Sequence, residues 1–426
     1  MIQLKDTRFP NTSAFLSHAI GIAEYYGFAH LDTLPRTVHP NPARRPLPLA
    51  KVESAISFAR REERTLLTAA RKCVARMPVP KHLRAVIVPS RDGIVVVPPV
   101  TDDTLLAWRV VGGAPGIPSV TLELHIVGHA SAIAEALLLV VANAIAEEAG
   151  VKELTLSINN IGSVDSSNRF VRDVGLYLRK HIESISPTLR PRAASDPLGA
   201  LVQLIERGHP AAPRAPQAME YLTEDERRRF WELLEYLEIS GLQYELNPHI
   251  LGSRDCWANS LFELSSTDPE SGARVPIAFG GRYDPLASRF AKSPTSATTI
   301  AITCELRGKT QTKRSRDIPA EAQPAIYFAH LGLEARRRIL SILEMLRHAG
   351  IPVHQGLWFD RMGEQMTVAR QLGTPYIVII GHKEAMEGTV LVREVSTNSQ
   401  DAIPVPELPA YLKRRRIGNW KVEVKA

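Results

Sequence analysis

At 426 residues the chain exceeds what one compact core supports, so at least two domains are expected; 44% apolar and 23% charged residues exclude a disordered or fibrous protein. No stretch reaches the roughly 18 consecutive apolar residues of a membrane span, and the opening MIQLKDTRFPN has neither the basic cluster nor the apolar run of a secretory signal, so a cytoplasmic protein with no membrane partner is expected. The formal charge of +7, with arginines grouped at Arg44-Arg45, Arg60-Arg61, Arg227 to Arg229, Arg336 to Arg338 and Arg414 to Arg416, suits a phosphate backbone and equally a plain solvated surface.

Apolar groups at Phe15, Leu16, Ala19, Ile20, Ala23 and Tyr26 recur at helical spacing and predict a helix over 12–26 that Gly27 stops. Prolines make 35–48 a loop, and 52–77 reads as a second helix laced with Glu and Arg. Strands are expected at 85–89 and 94–98 around Ser90-Arg91-Asp92-Gly93, then at 105–111 and 120–127, the last two pairing. An alanine-rich helix at 131–148, a strand at 154–158 and a helix at 168–182 follow. The segment 187–216 is dense in Pro, Ala and Arg, with one short helix at 198–205. Thr223 and Glu226 form a capping box for a helix that ends at Gly241. Two strand-like runs, Ser260 to Leu264 and Val275 to Phe279, flank a polar turn and predict a buried antiparallel hairpin. The hairpin runs into Gly280-Gly281-Arg282-Tyr283-Asp284, expected to set backbone amides, an arginine and a carboxylate at the lip of a sheet. A strand at 300–304 closes this block. Lys309 to Pro324 is polar and bracketed by proline, hence a linker. Beyond it, strand and helix alternate: strand 325–328, helix 333–348, a strand near 353, helix 361–372, strands 376–380 and 389–394, and a basic helix 408–416. That alternation predicts a compact α/β domain. The expected division is 1–308, with a helical, Pro-rich part at 187–240, then the linker 309–324, then 325–426.

Four stretches resemble the histidyl-tRNA synthetases, which are class II aminoacyl-tRNA synthetases. They are TLSINNIGSVDSSNRFVRDVGLYL from Thr155, LEYLEISGLQYELNPHILGSRDCWANSLFE from Leu234, AFGGRYDPL from Ala278 (the family has AGGRYDGL), and GTPYIVIIGHKEAMEGTVLVREVSTNSQ from Gly373. They stand in the family's order, and the resemblance covers most of the chain. It implies an α+β core on a six-stranded antiparallel sheet, dimeric through its N-terminal region, followed by an α/β anticodon-binding domain. Regulatory subunits of ATP phosphoribosyltransferase share the core but usually lack the terminal domain seen here.

Forming an aminoacyl adenylate builds negative charge on the α-phosphate, so fixed arginines are required, each well-placed donor being worth about 3 kcal/mol. Where the family has RGLDYY, this chain has Gly252-Ser253-Arg254-Asp255-Cys256-Trp257. Gly252 stands at the arginine, Cys256 and Trp257 replace the tyrosines, and Arg254 comes two residues later, about 7 Å along an extended segment. Where the family has GFAxGxER, Thr299 and Thr303 replace the glycines and Leu306 the arginine. Arg307 follows at once and points to the opposite face of a strand. In the motif 2 region Arg109 is the only arginine over 105–127, and the upstream TLRPE element is unrecognisable. Glu123 and His125 remain as polar groups on one face of the following strand.

The catalytic candidates, should activity survive, are Arg109, Arg254 and Arg307, with ATP and Mg²⁺ as cofactors. The candidate pocket comprises Glu123, His125, Asp255, Trp257, Arg282, Tyr283 and Asp284; a structural alternative has Arg282 and Asp284 tying the GGRYD turn and His125 filling core. RNA-binding candidates are Arg361, Gln365 and Arg370 on one helix and Arg393 on a strand, with Trp358 and Phe359 as stacking or core residues. Cys73, Cys256 and Cys304 make no CxxC pattern, so neither a metal site nor a disulfide framework is expected. The favoured reading is a catalytically degenerate histidyl-tRNA synthetase-like homodimer that binds tRNA or another structured RNA. The alternatives are an active histidine–tRNA ligase with reassigned arginines, and a regulatory or assembly subunit binding a partner protein or histidine.

Overall fold

The computed structural model describes residues 12–30, 87–90, 93–96, 104–112, 119–151, 153–252, 254–267, 272–291, 294–305 and 326–415. The expected loop at 35–48, the helix at 52–77, the linker and Arg307 lie outside these residues.

Helix α1 (Thr12–Tyr25) stops at Gly27, whose φ of +89° only glycine adopts at little cost, and leads into β1 (Ala29–His30). Strands β2 (Ile87–Ser90) and β3 (Gly93–Val96) form the expected hairpin. Then come β4 (Leu105–Gly112), β5 (Ser119–Val127), α2 (Ile133–Glu148), β6 (Leu154–Asn160) and α3 (Val164–Lys180). Helices α4 (Arg190–Ser195), α5 (Pro197–Glu206) and α6 (Glu224–Ile239) lead to β7 (Tyr244–Leu246). The block closes with β8 (Ala258–Thr267), β9 (Arg274–Arg282), α7 (Asp284–Ala291) and β10 (Ala297–Glu305).

Apart from β2 and β3, which pair only with each other among the described residues, these strands make an eight-stranded sheet of order β1-β4-β5-β10-β9-β8-β6-β7. The inner six are antiparallel, as expected. The expectation of six strands is corrected at the edges, where β1 pairs parallel with β4 and β7 parallel with β6. Those two strands are too short for any alternation to show in the sequence.

Cross-strand partners share a face, so the register sorts the sheet into two sides. On one side Trp108, Leu124, Ile300, Phe262 and Ile158 fall in line and pack with α1, α2 and α6 into the main core. The other side carries the polar rows described below and is partly roofed by a second apolar cluster drawn from α3, α4, α5 and residues 250–257. The Pro-rich stretch is therefore folded. Asp196 caps α5 by accepting from Gly199 N at 3.0 Å, and Pro197 takes the first turn, where a missing N–H costs nothing. Helix α3 begins four residues before the expected 168, because Ser163 caps it and Glu226 accepts from Ser163 N at 2.7 Å.

The C-terminal unit contains β11 (Ile326–His330), α8 (Leu333–His348), β12 (Val353–Gln355), α9 (Met362–Gln371), β13 (Tyr376–Ile380), α10 (His382–Glu387), β14 (Thr389–Glu394), β15 (Gln400–Pro404) and α11 (Leu408–Arg414). Its sheet has order β12-β11-β13-β14-β15, parallel through the first three strands and antiparallel at the last two. Helix α8 packs into the same apolar cluster as α1, α2 and α6, so one core runs through both units. Polar contacts line this seam. Tyr25 donates to Leu343 O at 3.2 Å, Gln355 Nε2 to Tyr26 O at 3.2 Å, Tyr26 donates to Glu344, and Arg347 bridges Glu148 and Glu344. The His129 ring meets Trp358 edge-on at 4.8 Å. Trp358 thus serves the seam.

Candidate functional site

The polar side of the large sheet carries three rows. Ala107, His125, Thr299, Gly281, Leu261 and Asn159 lie across it in register; beside them run Arg109, Glu123, Ala301, Phe279, Glu263, Ser157 and Glu245, and then Val111, Thr121 and Thr303. Glu123 and His125 therefore share a face, with His125 Nε2 3.8 Å from Glu123 Oε2. Tyr283 joins them, its ring perpendicular to that of His125 at 6.4 Å. Burial raises the Tyr283 phenol, and the Asp284 and Glu123 carboxylates raise it further. Arg109 stands directly across from Glu123, half-buried, and its Nη1 makes no hydrogen bond.

Arg282 does not join this pocket, which corrects the expectation. It falls in line with Thr298 on the helix side and is fully buried there, giving Nη2 to Glu135 at 2.6 Å and Nε to Glu135 at 2.9 Å. Arg229 of α6 adds a third bond to Glu135 at 2.9 Å. Burial alone would raise the Glu135 carboxyl, but the Arg282 and Arg229 guanidiniums outweigh it and hold it below the ordinary range. Asp284 Oδ1 accepts from Ala297 N at 2.7 Å and from Arg282 Nη1 at 3.3 Å, so both residues tie the turn. The Gly280 and Gly281 amides belong to a strand flanked on both sides, not to a phosphate cradle. A Cβ on Gly280 would lie 2.1 Å from Phe262 Cε2 and 2.3 Å from Thr299 O; these glycines serve close packing. Glu135 was not singled out in the sequence. The signal was there, as the one carboxylate in the otherwise apolar first half of α2 (IAEALLLVV).

The RGLDYY counterpart is a packed wall. A Cβ on Gly252 would stand 2.9 Å from Trp257 Cδ1 and 3.1 Å from Leu261 Cδ1, and Cys256 and Trp257 are buried. Residues 254–256 form a turn instead of an extended run, and Arg254 Nη1 donates to Asn168 Oδ1 of α3 at 2.6 Å. Asp255 is exposed. Among the described residues, the polar side of the sheet offers two arginines. Arg109 is one; the other, Arg274, lies at the first residue of β9 and is held by Glu245 of the edge strand β7 at 2.6 Å. The threonines at the family's glycine positions are engaged, Thr299 with Leu124 O at 2.9 Å and Thr303 with Thr121 at 3.1 Å. No group of three or more His, Cys, Asp or Glu residues among the described residues could hold a metal ion.

In the C-terminal unit, Gln365 is corrected from a nucleic-acid contact to a structural bond. It is fully buried, donating to His330 O at 2.8 Å and Phe359 O at 3.1 Å and accepting from His330 N at 2.9 Å. Arg361 and Arg370 are exposed, but Arg361 precedes the first turn of α9 in extended backbone and Arg370 lies in its last turn, so the two stand at opposite ends of that helix. Arg393 is half-buried and donates to Asn398 at 2.9 Å.

A profile described as an anticodon binding domain matches residues 328–415. The histidine–tRNA ligase of Thermosynechococcus vestitus is 29% identical over 287 residues, 67% of this chain and 66% of that protein. Histidine–tRNA ligase 1 of Shouchella clausii is 28% identical over 301 residues, 70% of this chain and 71% of that protein. The chain thus spans about two thirds of the length of the curated relatives it matches. The crystal structure of apo S. aureus histidyl-tRNA synthetase superposes over 88% of this chain and 99% of that one, with 18% identity and a TM-score of 0.39. The fold is that of a class II aminoacyl-tRNA synthetase-like core joined to a C-terminal anticodon-binding domain. Within that class, the chain is a histidyl-tRNA synthetase-like protein. Among the described residues, no helix is long and apolar enough to cross a membrane.

Proposed function

We propose that this protein is a homodimeric, catalytically degenerate member of the histidyl-tRNA synthetase group that acts by binding tRNA or a similarly structured RNA. The observation that carries the reading is the wall at Gly252. Where the resemblance places a phosphate-clasping arginine, the Trp257 indole lies against a bare α-carbon, so the missing charge has been replaced by packing. The partial rescue candidates do not gather: Arg254 is spent on Asn168, and Arg109 stands across from Glu123. Losing two clasping donors at about 3 kcal/mol each lowers adenylate formation by about four powers of ten. An active ligase needs the ATP phosphates clasped by at least two arginines, with carboxylates for Mg²⁺; of the three catalytic candidates, Arg109 is the one among the described residues that stands on the polar side of the sheet.

The RNA reading is supported by the anticodon-binding profile and by exposed Arg361, Arg370, Lys413 and Arg414. Phosphate contacts release counterions, so the affinity for tRNA is expected to fall steeply between 50 and 200 mM salt, by roughly a thousandfold if six phosphates are engaged. Salt-insensitive association, or none, in a filter-binding titration contradicts RNA binding; a protein complex that survives nuclease would favour an assembly role instead.

A further inference from the structure

The polar pocket contains an imidazole already, and it is the chain's own. Glu123, His125 and Tyr283 are each 3% exposed, so the three side chains close on one another with little room for a fourth group. The His125 ring has a carboxylate at 3.8 Å from Nε2 on one side and a phenol ring edge-on at 6.4 Å on another. Ala107 and Thr299 flank it in register, and the Thr299 hydroxyl is committed to Leu124 O. A carboxylate to take an N–H and an aromatic ring to pack against are what any imidazole ligand asks of a protein.

We infer that His125 is an internal occupant of this pocket, its side chain holding the place between Glu123 and Tyr283 that a free imidazole-bearing ligand would need. This inference rests on the non-ligating reading above and deepens it: the cleft is closed to histidine by a side chain, in addition to having a glycine, Gly252, where the resemblance places an arginine. Because the occupant is attached to a strand, cutting it back leaves a hole of its own shape. Buried holes of that kind accept the fragment that was removed.

The test is a calorimetric and thermal-shift titration of the full chain with imidazole and with L-histidine. Wild-type protein is expected to bind neither saturably at millimolar concentration. His125→Gly is expected to bind imidazole at least ~tenfold more tightly than wild type and to melt higher in its presence. Adding Glu123→Gln to that variant is expected to weaken imidazole binding again by about tenfold, because a charge-assisted hydrogen bond is lost. His125→Ala is scored in the same way, and a variant that folds only with imidazole present supports the inference. Saturable histidine binding by wild type overturns it, as does a variant that imidazole neither stabilises nor refolds. The two readings separate cleanly. Histidine-dependent pyrophosphate exchange by wild type defeats the non-ligating reading, whereas an inert wild type with an unresponsive His125→Gly defeats this inference alone.

Discussion

Single residues decide most of the functional account, and the first of them is a glycine. Restoring an arginine at Gly252 is the obvious repair, yet its Cβ would already stand closer than van der Waals contact to Trp257 and Leu261. Gly252→Arg is therefore expected to lower stability by about 1–3 kcal/mol and to restore no exchange activity, as measured by urea denaturation alongside the assay. Recovery of exchange by this one change contradicts the packed-wall description. The Glu135–Arg282 pair makes the opposite case, a charge that is present and purely structural. Arg282→Met leaves Glu135 buried with Arg229 as its remaining cation and should cost about 3–5 kcal/mol, read from the denaturant midpoint. Arg282 was legible as a motif residue but its direction was not. A one-residue step along a strand reverses the face, and the sequence alone does not say on which side of GGRYD the helices lie.

At the level of elements, caps and seams set the pH response. Glu226 accepts from Thr223 N, Ser163 N and the Ser166 hydroxyl; burial raises its carboxyl, but these donors outweigh that and bring it down to about 2. Glu148 is brought to about 2 by His18, and then by Arg347 against the effect of burial. A carboxyl whose folded value is depressed contributes stability above its unfolded value of about 4.3 and loses it as pH falls toward the folded one. Melting temperature is therefore expected to fall between about pH 5 and pH 2, and Glu226→Gln should flatten part of that slope. An unchanged slope contradicts the capping role. The Thr223–Glu226 box was readable because capping is a local code, whereas Glu226 reaching Ser163, sixty-three positions away, has no local signature. Helix α9 shows the same division. Its existence followed from periodicity, but Gln365 looked like a surface polar group until β11 placed a backbone N–H and C=O against it. Gln365→Ala should destabilise the C-terminal unit by about 2–3 kcal/mol, while Arg361→Ala and Arg370→Ala should stay within about 0.5 kcal/mol and weaken tRNA binding. Equal effects on melting from all three contradict this assignment.

Across the whole molecule, two antiparallel pairings and the α/β alternation after residue 325 were legible in hydrophobic periodicity, whereas the order of the antiparallel inner strands was expected from the family resemblance alone. What stayed hidden is how the two units meet. Tyr25, Tyr26, Glu148, Glu344 and Arg347 read as ordinary helix residues until α8 docks against α1 and α2. The functional claim belongs to this scale too, since it depends on how many positive charges the folded sheet can aim at one phosphate. The most direct measurement is histidine-dependent exchange of labelled pyrophosphate into ATP by the purified full chain, with Mg²⁺ and with and without tRNA. No exchange above a no-enzyme blank is predicted under either condition. Exchange at several per second, within the ordinary range of enzyme turnover, would contradict the account outright.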